Sequence, residues 1–239
     1  MKIINTIHNE NCITGMRKMP KGKVKCIVTD PPFAINFRAK KANYNRKESL
    51  VLKGYNEIPA QEYRHFSLSW LSEAKRVLHD HGSMYIFTGY NHLGDILISL
   101  ETLDIEVINH IVWQYQFGVY ASKKYVTSHY LVLYCAKRGA QRYFNTFSRF
   151  DNTKEVYKDL QDVWFIKRPY WTGKVKTPNK LPEEIIEKIL SYSTKKGDLV
   201  LDPFLGSGQV AVVAKRMKRK YCSFEIVKGY YEFAKKRLE

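Results

Sequence analysis

The chain is predicted to form an α/β fold built on an open, doubly wound and mostly parallel sheet, and two features carry that prediction. Helix and strand signals alternate along the chain, with no internal repeat, low-complexity tract or flexible linker. Near the carboxyl end, a strand from Asp198 to Leu201, a turn from Asp202 to Gly208, a helix from Gln209 to Met217 and a strand from Tyr221 to Phe224 make one βαβ unit. The 239 residues suffice for a single domain, 1–239, with an ample core.

The elements follow in order. Ile3 to Ile7 and Val24 to Thr29 read as apolar strands around a short helical piece at Cys12 to Met19. Residues 34–58 are basic and poorly periodic, and longer than most loops of a compact domain, which marks function or disorder and reads as a basic mobile loop. Gln61 to Leu78 regains helical period, with Phe66, Trp70, Leu71, Ala74 and Leu78 on one stripe. His79, Asp80 and His81 read as a capped turn at that helix end, in preference to metal ligands, and Gly82 precedes a buried strand, Ser83 to Thr88. Asn91 to Thr102 is helical, while Glu106 to Trp113 and Thr127 to Ala136 are strands, the second apolar enough to be central. Pro182, the acidic first turn Glu183-Glu184 and the stripe Ile185, Ile186, Ile189, Leu190 define a helix stopped at Gly197. Tyr230, Tyr231 and Phe233 on the last helix read as packing.

Composition narrows the function classes. Four cysteines without C-x-x-C spacing indicate neither a zinc site nor a disulfide framework, and no metal is called for. No stretch approaches the roughly twenty apolar residues of a membrane span, so a cytoplasmic protein is expected. Lys plus Arg number 40 against 23 Asp plus Glu, and a net charge of +17 points to a polyanion. The excess gathers at Arg38 to Lys53, Lys137 to Lys174 and Lys215 to Lys220. In the first two, charge is interleaved with rings (Phe37, Tyr44, Tyr55; Tyr143, Phe144, Phe147, Tyr157, Trp164), the mixture that suits nucleic acid, whereas the third reads as a solvated helix end.

Two segments carry chemistry. Asp30-Pro31-Pro32-Phe33 follows a strand, so a carboxylate, stiff carbonyls and a flat ring sit together at its carboxyl end. Such a cluster suits a planar group bearing an amine, and equally a strand-ending turn with a buried Phe. Gly206-x-Gly208-x-x-Ala211, with Glu225 near the roughly twenty-residue offset expected of a ribose-binding acid, satisfies a nucleotide-binding fingerprint. No further βαβ elements follow it, unlike the usual dehydrogenase layout. The remaining parallel strands must come from the amino-terminal half, which places the strand ending at Asp30 beside the one ending at Asp202.

These residues together resemble the permuted β group of DNA amino-methyltransferases. The matching pieces are Asn11-Cys12, Asp30-Pro31-Pro32-Phe33, Trp70-Leu71 through Leu78, Gly82, Ile111-Val112-Trp113, Asp162-Val163-Trp164, Thr177-Pro178-Asn179-Lys180-Leu181-Pro182 and Leu201 through Gly208, covering nearly the whole chain in the family's order. The resemblance implies a Rossmann-like, circularly permuted methyltransferase sheet and S-adenosyl-L-methionine as cofactor. It implies double-stranded DNA as substrate with a flipped-out base, and Asp30 at the head of the motif points to adenine N6 rather than cytosine N4; a cytosine-N4 or RNA methyltransferase, or a non-catalytic nucleic-acid binder of the same fold, are the alternatives. By resemblance, Asp30, Pro31, Pro32 and Phe33 are catalytic and Asp30 also borders the cofactor. Glu225 would hold the ribose, Asp202, Phe204, Gly206, Ser207 and Gly208 the methionine part, Asn11 and Cys12 the adenine surroundings, and Lys180 the carboxylate end. Phe33 stands where Tyr is commoner, Thr177 where His is frequent and Gln209 where Thr often follows the glycines. Residues 114–161 correspond to the inserted target-recognition region. A homodimer and a cognate restriction endonuclease are the further partners that the resemblance raises.

Overall fold

In a computed structural model, residues 1–33, 58–118, 120, 122–168 and 180–239 are described. The basic loop 34–58, save Ile58, and Thr177-Pro178-Asn179 lie outside the described residues. The strands are β1 (Thr6–His8), β2 (Val24–Thr29), β3 (Leu78–Thr88), β4 (Ile105–Gln114), β5 (His129–Lys137), β6 (Val163–Phe165), β7 (Leu199–Asp202) and β8 (Lys220–Phe224). The helices are α1 (Cys12–Arg17), α2 (Tyr63–Val77), α3 (Leu93–Thr102), α4 (Thr153–Asp159), α5 (Glu183–Ser193), α6 (Gln209–Arg216) and α7 (Lys228–Leu238).

These strands form one sheet in the order β1-β8-β7-β2-β3-β5-β4-β6. Only β5 runs against its neighbours; the other pairings are parallel. The chain winds outward from the β7–β2 junction in both directions, so strand order reverses there. Cys26 pairs with Val200 and Ile27 with Leu201, which sets the strand ending at Asp30 beside the strand ending at Asp202, as sequence order requires.

Successive strand residues point to opposite faces, and each face carries its own helices. Ile27, Met84, Ile86 and Leu133 pack with α1, α2 and α3, where Trp70, Leu71, Ile96 and Leu100 are fully buried. Cys26, Val28, Tyr85 and Val132 pack with α5, α6 and α7 through Ile185, Ile189, Val213 and Ala234. Burial on this scale, about 1.5–3 kcal/mol for a large apolar side chain, accounts for helices whose propensity alone would not hold them.

Three readings are corrected. His79, Asp80 and His81 belong to β3, which begins directly after α2 instead of at a capped turn before Gly82. Residues 79–82 fall between the Val24–Leu78 and Cys26–Ser83 pairs, where the register with β2 shifts, so this stretch tolerates polar residues. The first strand is β1 at Thr6–His8, later than Ile3 to Ile7, because its pairing with Cys222–Phe224 selects the residues.

Part of the basic aromatic stretch Lys137 to Lys174 is also redirected, from a nucleic-acid surface to internal packing, while Phe147 and Tyr157 stay exposed and residues 169–174 lie outside the described residues. Phe144 stacks on Tyr192 at 5.3 Å, Trp164 is buried beneath the Lys188 ammonium, and Arg149 pairs with Asp159 at 3.2 Å. The Tyr143 N–H donates to the His81 carbonyl and the Asn145 N–H to the Tyr192 carbonyl. Both anchors lie at the amino end of β3 and the carboxyl end of α5, so this part of the chain passes the end of the sheet remote from the Asp30 motif.

Of the terminal basic run, Lys215 donates to the Leu238 carbonyl and Arg216 pairs with Glu183 and Glu187. These contacts tie α6 to α5 and α7.

Candidate active site

The site lies at the carboxyl ends of β1, β2, β7 and β8, at the switch in strand order where open α/β sheets bind ligands. Asp30, Pro31, Pro32 and Phe33 leave β2. Asp202 ends β7, Glu225 follows β8, and Asn11 and Cys12 open α1 just after β1. All of them, with Lys180, Phe204, Gly206 and Ser207, line one cavity of about 260 Å³. That is near the lower end of the roughly 300–1,000 Å³ usual for small-molecule sites.

The loop after β7 is held by directed bonds. Asp202 Oδ1 accepts the Phe204 N–H at 3.1 Å and the Thr29 hydroxyl at 3.2 Å. Glu225 Oε2 accepts the Gly206 N–H at 2.9 Å and its Oε1 the Val227 N–H at 2.8 Å. The Leu205 N–H donates to the Phe224 carbonyl, and Arg237 donates to the Ser207 carbonyl and to Gln209 Oε1. A carboxylate with one N–H on each oxygen is fixed in orientation and retains lone pairs for further donors.

Gly206 and Gly208 adopt φ +50° and +78°, the left-handed region open to glycine. Gly208 does not line the cavity. It caps α6, and a Cβ there would lie 2.8 Å from Ala234 Cβ, so its contribution is the approach of α6 to α7.

Asn11 is the N-cap of α1, its Oδ1 accepting the Ile13 N–H at 2.8 Å. Cys12 is buried, which pushes its thiol up to about 12 and makes it an inert apolar wall. Lys180 is held below the usual ammonium range by burial and then by Arg237.

Charge inside the cavity opposes the charge of the whole. Glu10, Asp30, Asp202 and Glu225 line it, against Lys180 as the lining cation among the described residues, in a chain of net charge +17. Burial, then the Asp202 charge, push the Asp30 carboxyl up to about 7. Burial, with a contribution from Glu225, brings Asp202 to about 7, and Glu225 is likewise raised by burial. Such a cavity gains from a ligand carrying positive charge.

Other lining residues escaped the sequence reading. Phe66 and Phe204 meet as tilted rings at 5.8 Å, with Trp70 edge-on to Phe204 at 5.4 Å, giving the cavity an apolar wall. Glu10, Val210, Ile226 and Tyr230 also line it, as does Gln209, which the sequence places directly after the glycines. Tyr230 is thus more than packing. Its helical spacing from Ala234 gave no signal of a cavity position.

On the β5 side, Phe33 is buried with its ring 5.8 Å from Tyr130. Tyr130 neighbours Trp113 and Tyr115, and Arg168 lies over all three rings. Among the described residues, no three His, Cys, Asp or Glu side chains are arranged to hold a metal, and no helix is long and apolar enough to cross a membrane.

Residues 24–236 match the family described as DNA methylase. The chain is 32% identical over 235 residues to the type II methyltransferase M2.DpnII of Streptococcus pneumoniae, covering 94% of this chain and 85% of that protein. It is 28% identical over 240 residues to the type II methyltransferase M.HpaI of Haemophilus parainfluenzae, covering 96% and 72%. Among solved structures, the M1.HpyAVI–SAM complex superposes with a TM-score of 0.71 at 24% identity, covering 98% of each chain. The PvuII cytosine-N4-specific DNA methyltransferase superposes with a TM-score of 0.77 at 17% identity, covering 99% and 89%. At these identities the two structures speak for the fold.

Proposed function

The chain belongs to the DNA methylase family, and from that premise we propose that it transfers a methyl group from S-adenosyl-L-methionine to N6 of an adenine flipped out of duplex DNA. One observation carries this reading. The amine-binding motif that begins at Asp30 and the nucleotide-binding loop that begins at Asp202 leave adjacent parallel strands and open into the same cavity.

The cofactor fits the residues present. Its sulfonium and ammonium suit a cavity lined by four carboxylates, and its carboxylate suits Lys180. When bound, it supplies an electrophilic methyl group on sulfur. Glu225 would accept the ribose hydroxyls with lone pairs left free by Gly206 and Val227. Asp202 and the loop from Phe204 to Ser207 would hold the methionine part, while Asn11, Cys12 and Ile226 would border the purine.

The acceptor half follows from the chemistry of an exocyclic amine, whose lone pair is delocalised into its ring. Asp30 and the Pro31 carbonyl would each accept one amine hydrogen, which favours a pyramidal nitrogen and disperses the charge that grows as the bond to carbon forms. Phe33 offers the stacking face. A base within the duplex cannot reach this depth, so it must leave the stack at a cost of a few kcal/mol, offset by stacking and backbone contacts. Positioning then accounts for most of the acceleration.

Target reading is proposed for the β4–β5 hairpin. Among the described residues of 114–161, only the hairpin tip lies at the cavity end of the sheet, with Tyr120, Lys123, Lys124 and Tyr125 exposed there. A cognate restriction endonuclease, a second copy of the chain and a cytoplasmic location belong to the same reading. Light scattering checks the second of these.

Incubation with tritiated S-adenosyl-L-methionine and unmethylated duplex, followed by nucleoside analysis, tests the reaction. Label in N6-methyladenine is expected. Label confined to N4-methylcytosine or to RNA overturns the choice of base or substrate, and cofactor binding with no transfer to diverse DNA overturns the activity.

A further inference from the structure

We propose that Arg168 is a positioning residue for methyl transfer, anchored on an aromatic wall so that its positive charge is fixed at the Asp30 end of the cavity. The proposal rests on the reading of Asp30 as the amine's acceptor. Its first support is geometric. The guanidinium lies 4.4 Å from the Tyr115 ring centroid, 4.8 Å from Tyr130 and 5.4 Å from Trp113. Those rings lie within 6 Å of one another, and Tyr130 reaches Phe33 of the motif at 5.8 Å. The wall therefore runs without a break from Arg168 to the residue three places after Asp30.

The backbone is pinned as firmly as the side chain. Gln116 accepts the Arg168 N–H at 2.9 Å through Oε1 and donates to the Arg168 carbonyl at 3.0 Å through Nε2. Two residues earlier, the Ile166 carbonyl accepts the Trp113 indole N–H at 2.8 Å, and the Ile166 N–H donates to the Gln114 carbonyl. This zips the continuation of β6 to that of β4. A surface arginine kept only for solubility or for a mobile phosphate contact needs none of these constraints.

The charges around Asp30 give the anchored cation its use. Burial and the Asp202 carboxylate at the end of β7 oppose ionisation of Asp30, while Arg168, reaching in from beyond β6, favours it. The cavity's remaining charged lining is Glu10 and Glu225, which are acidic, and Lys180. Among the described residues, Arg168 is the cation that acts on Asp30. A protonated Asp30 loses one of its acceptors, so Arg168 widens the pH range over which the target amine finds both.

The experiment is the single-turnover methylation rate of the full chain on unmethylated duplex with saturating tritiated S-adenosyl-L-methionine, across about pH 5.5 to 9. Arg168→Met, which keeps an apolar stem over the rings, is expected to move the acidic limb upward by about one pH unit, costing roughly tenfold below the limb and little at pH 9. Arg168→Lys should restore most of the limb's position. Cofactor affinity should stay within about twofold, since the wall lies outside the cofactor's half of the cavity. Equal loss at every pH, or an effect confined to DNA affinity and its salt dependence, overturns the proposal. Should Arg168→Met not fold, Arg168→Gln carries the same comparison. Failure of the Asp30 reading shows separately, as an Asp30→Ala protein that still turns over.

Discussion

Thr29 and Asp202 meet across the β2–β7 pair, the buried threonine hydroxyl donating to Asp202 Oδ1 at 3.2 Å. Thr29 is bonded to Asp30 and Asp202 opens the nucleotide-binding loop, so one hydrogen bond ties the two halves of the proposed site to a common frame. Thr29→Val keeps the shape and removes the donor. It should cost about 1–3 kcal/mol, since the buried Asp202 Oδ1 loses one of its two donors and keeps the Phe204 N–H. Denaturant titration checks this, and a variant as stable as the parent would show that the bond contributes nothing net.

Asp30→Ala should lower methyl transfer by at least about a hundredfold, on the scale of losing one preorganised group that meets developing charge. Cofactor affinity should remain within about threefold, because the loop from Asp202 to Gly208 and Glu225 are untouched. Single-turnover rates and equilibrium dialysis measure the two separately.

Glu225 has a double task, and its loss should show twice. Glu225→Ala removes the acceptor for the Gly206 and Val227 N–H groups, so the thermal midpoint should fall even without ligand. It should also weaken the cofactor by roughly 10- to 100-fold, the loss expected from deleting charge-assisted bonds. An unchanged dissociation constant by calorimetry would remove Glu225 from the ribose.

The cavity carboxylates make stability depend on pH in a definite direction. Asp202 in the folded protein titrates at about 7, through burial and then Glu225, against an ordinary 3.8. A folded pKa above the unfolded one means that the folded state keeps a proton which the unfolded chain releases. The resulting stabilisation is complete below pH 3.8 and is lost as pH rises to about 7. Between these limits the cofactor-free protein should lose thermal stability more steeply than Asp202→Asn, which retains an acceptor but cannot ionise. Parallel curves would refute this. A cationic ligand should bind more tightly as pH rises through the same range.

Substituting Lys123 and Lys124 together by Ala should weaken duplex binding and reduce the slope of log affinity against log salt by roughly 0.9 for each phosphate that is no longer neutralised. Cofactor affinity is the control and should not move. A salt slope equal to the parent's would place the DNA elsewhere than the β4–β5 hairpin.

Much of this site was legible because its chemistry is local in sequence. The strand, the glycine turn and Glu225 fall within one βαβ unit, and the Asp30 motif is four consecutive residues, so both could be read before their neighbours were known. Phe66, Tyr230 and Arg168 could not. Each acquires its place from tertiary packing: Phe66 beside Phe204, Tyr230 at the cavity that the folded sheet assembles, and Arg168 over rings from two separate stretches of chain. The same limit misassigned Tyr143, Phe144 and Trp164, since rings among cations have one composition whether they stack on bases or, as here, on Tyr192 and under Lys188. β6 and α4 went unread because three and seven residues carry too little periodicity.

The pairing of β2 with β7 also sets a timetable. Thr29 and Asp202 are 173 residues apart, and Asn9 bonds to the Glu225 carbonyl across 216. During synthesis β2 can meet β3 early, but its other edge waits until residues 199–202 have been made, and β1 waits for β8. Pairings of such separation form slowly, and an open apolar edge is exposed to aggregation while it waits. The cavity is therefore among the last parts of the protein to exist, and the nascent chain has no place for a cofactor until the sheet closes at its centre.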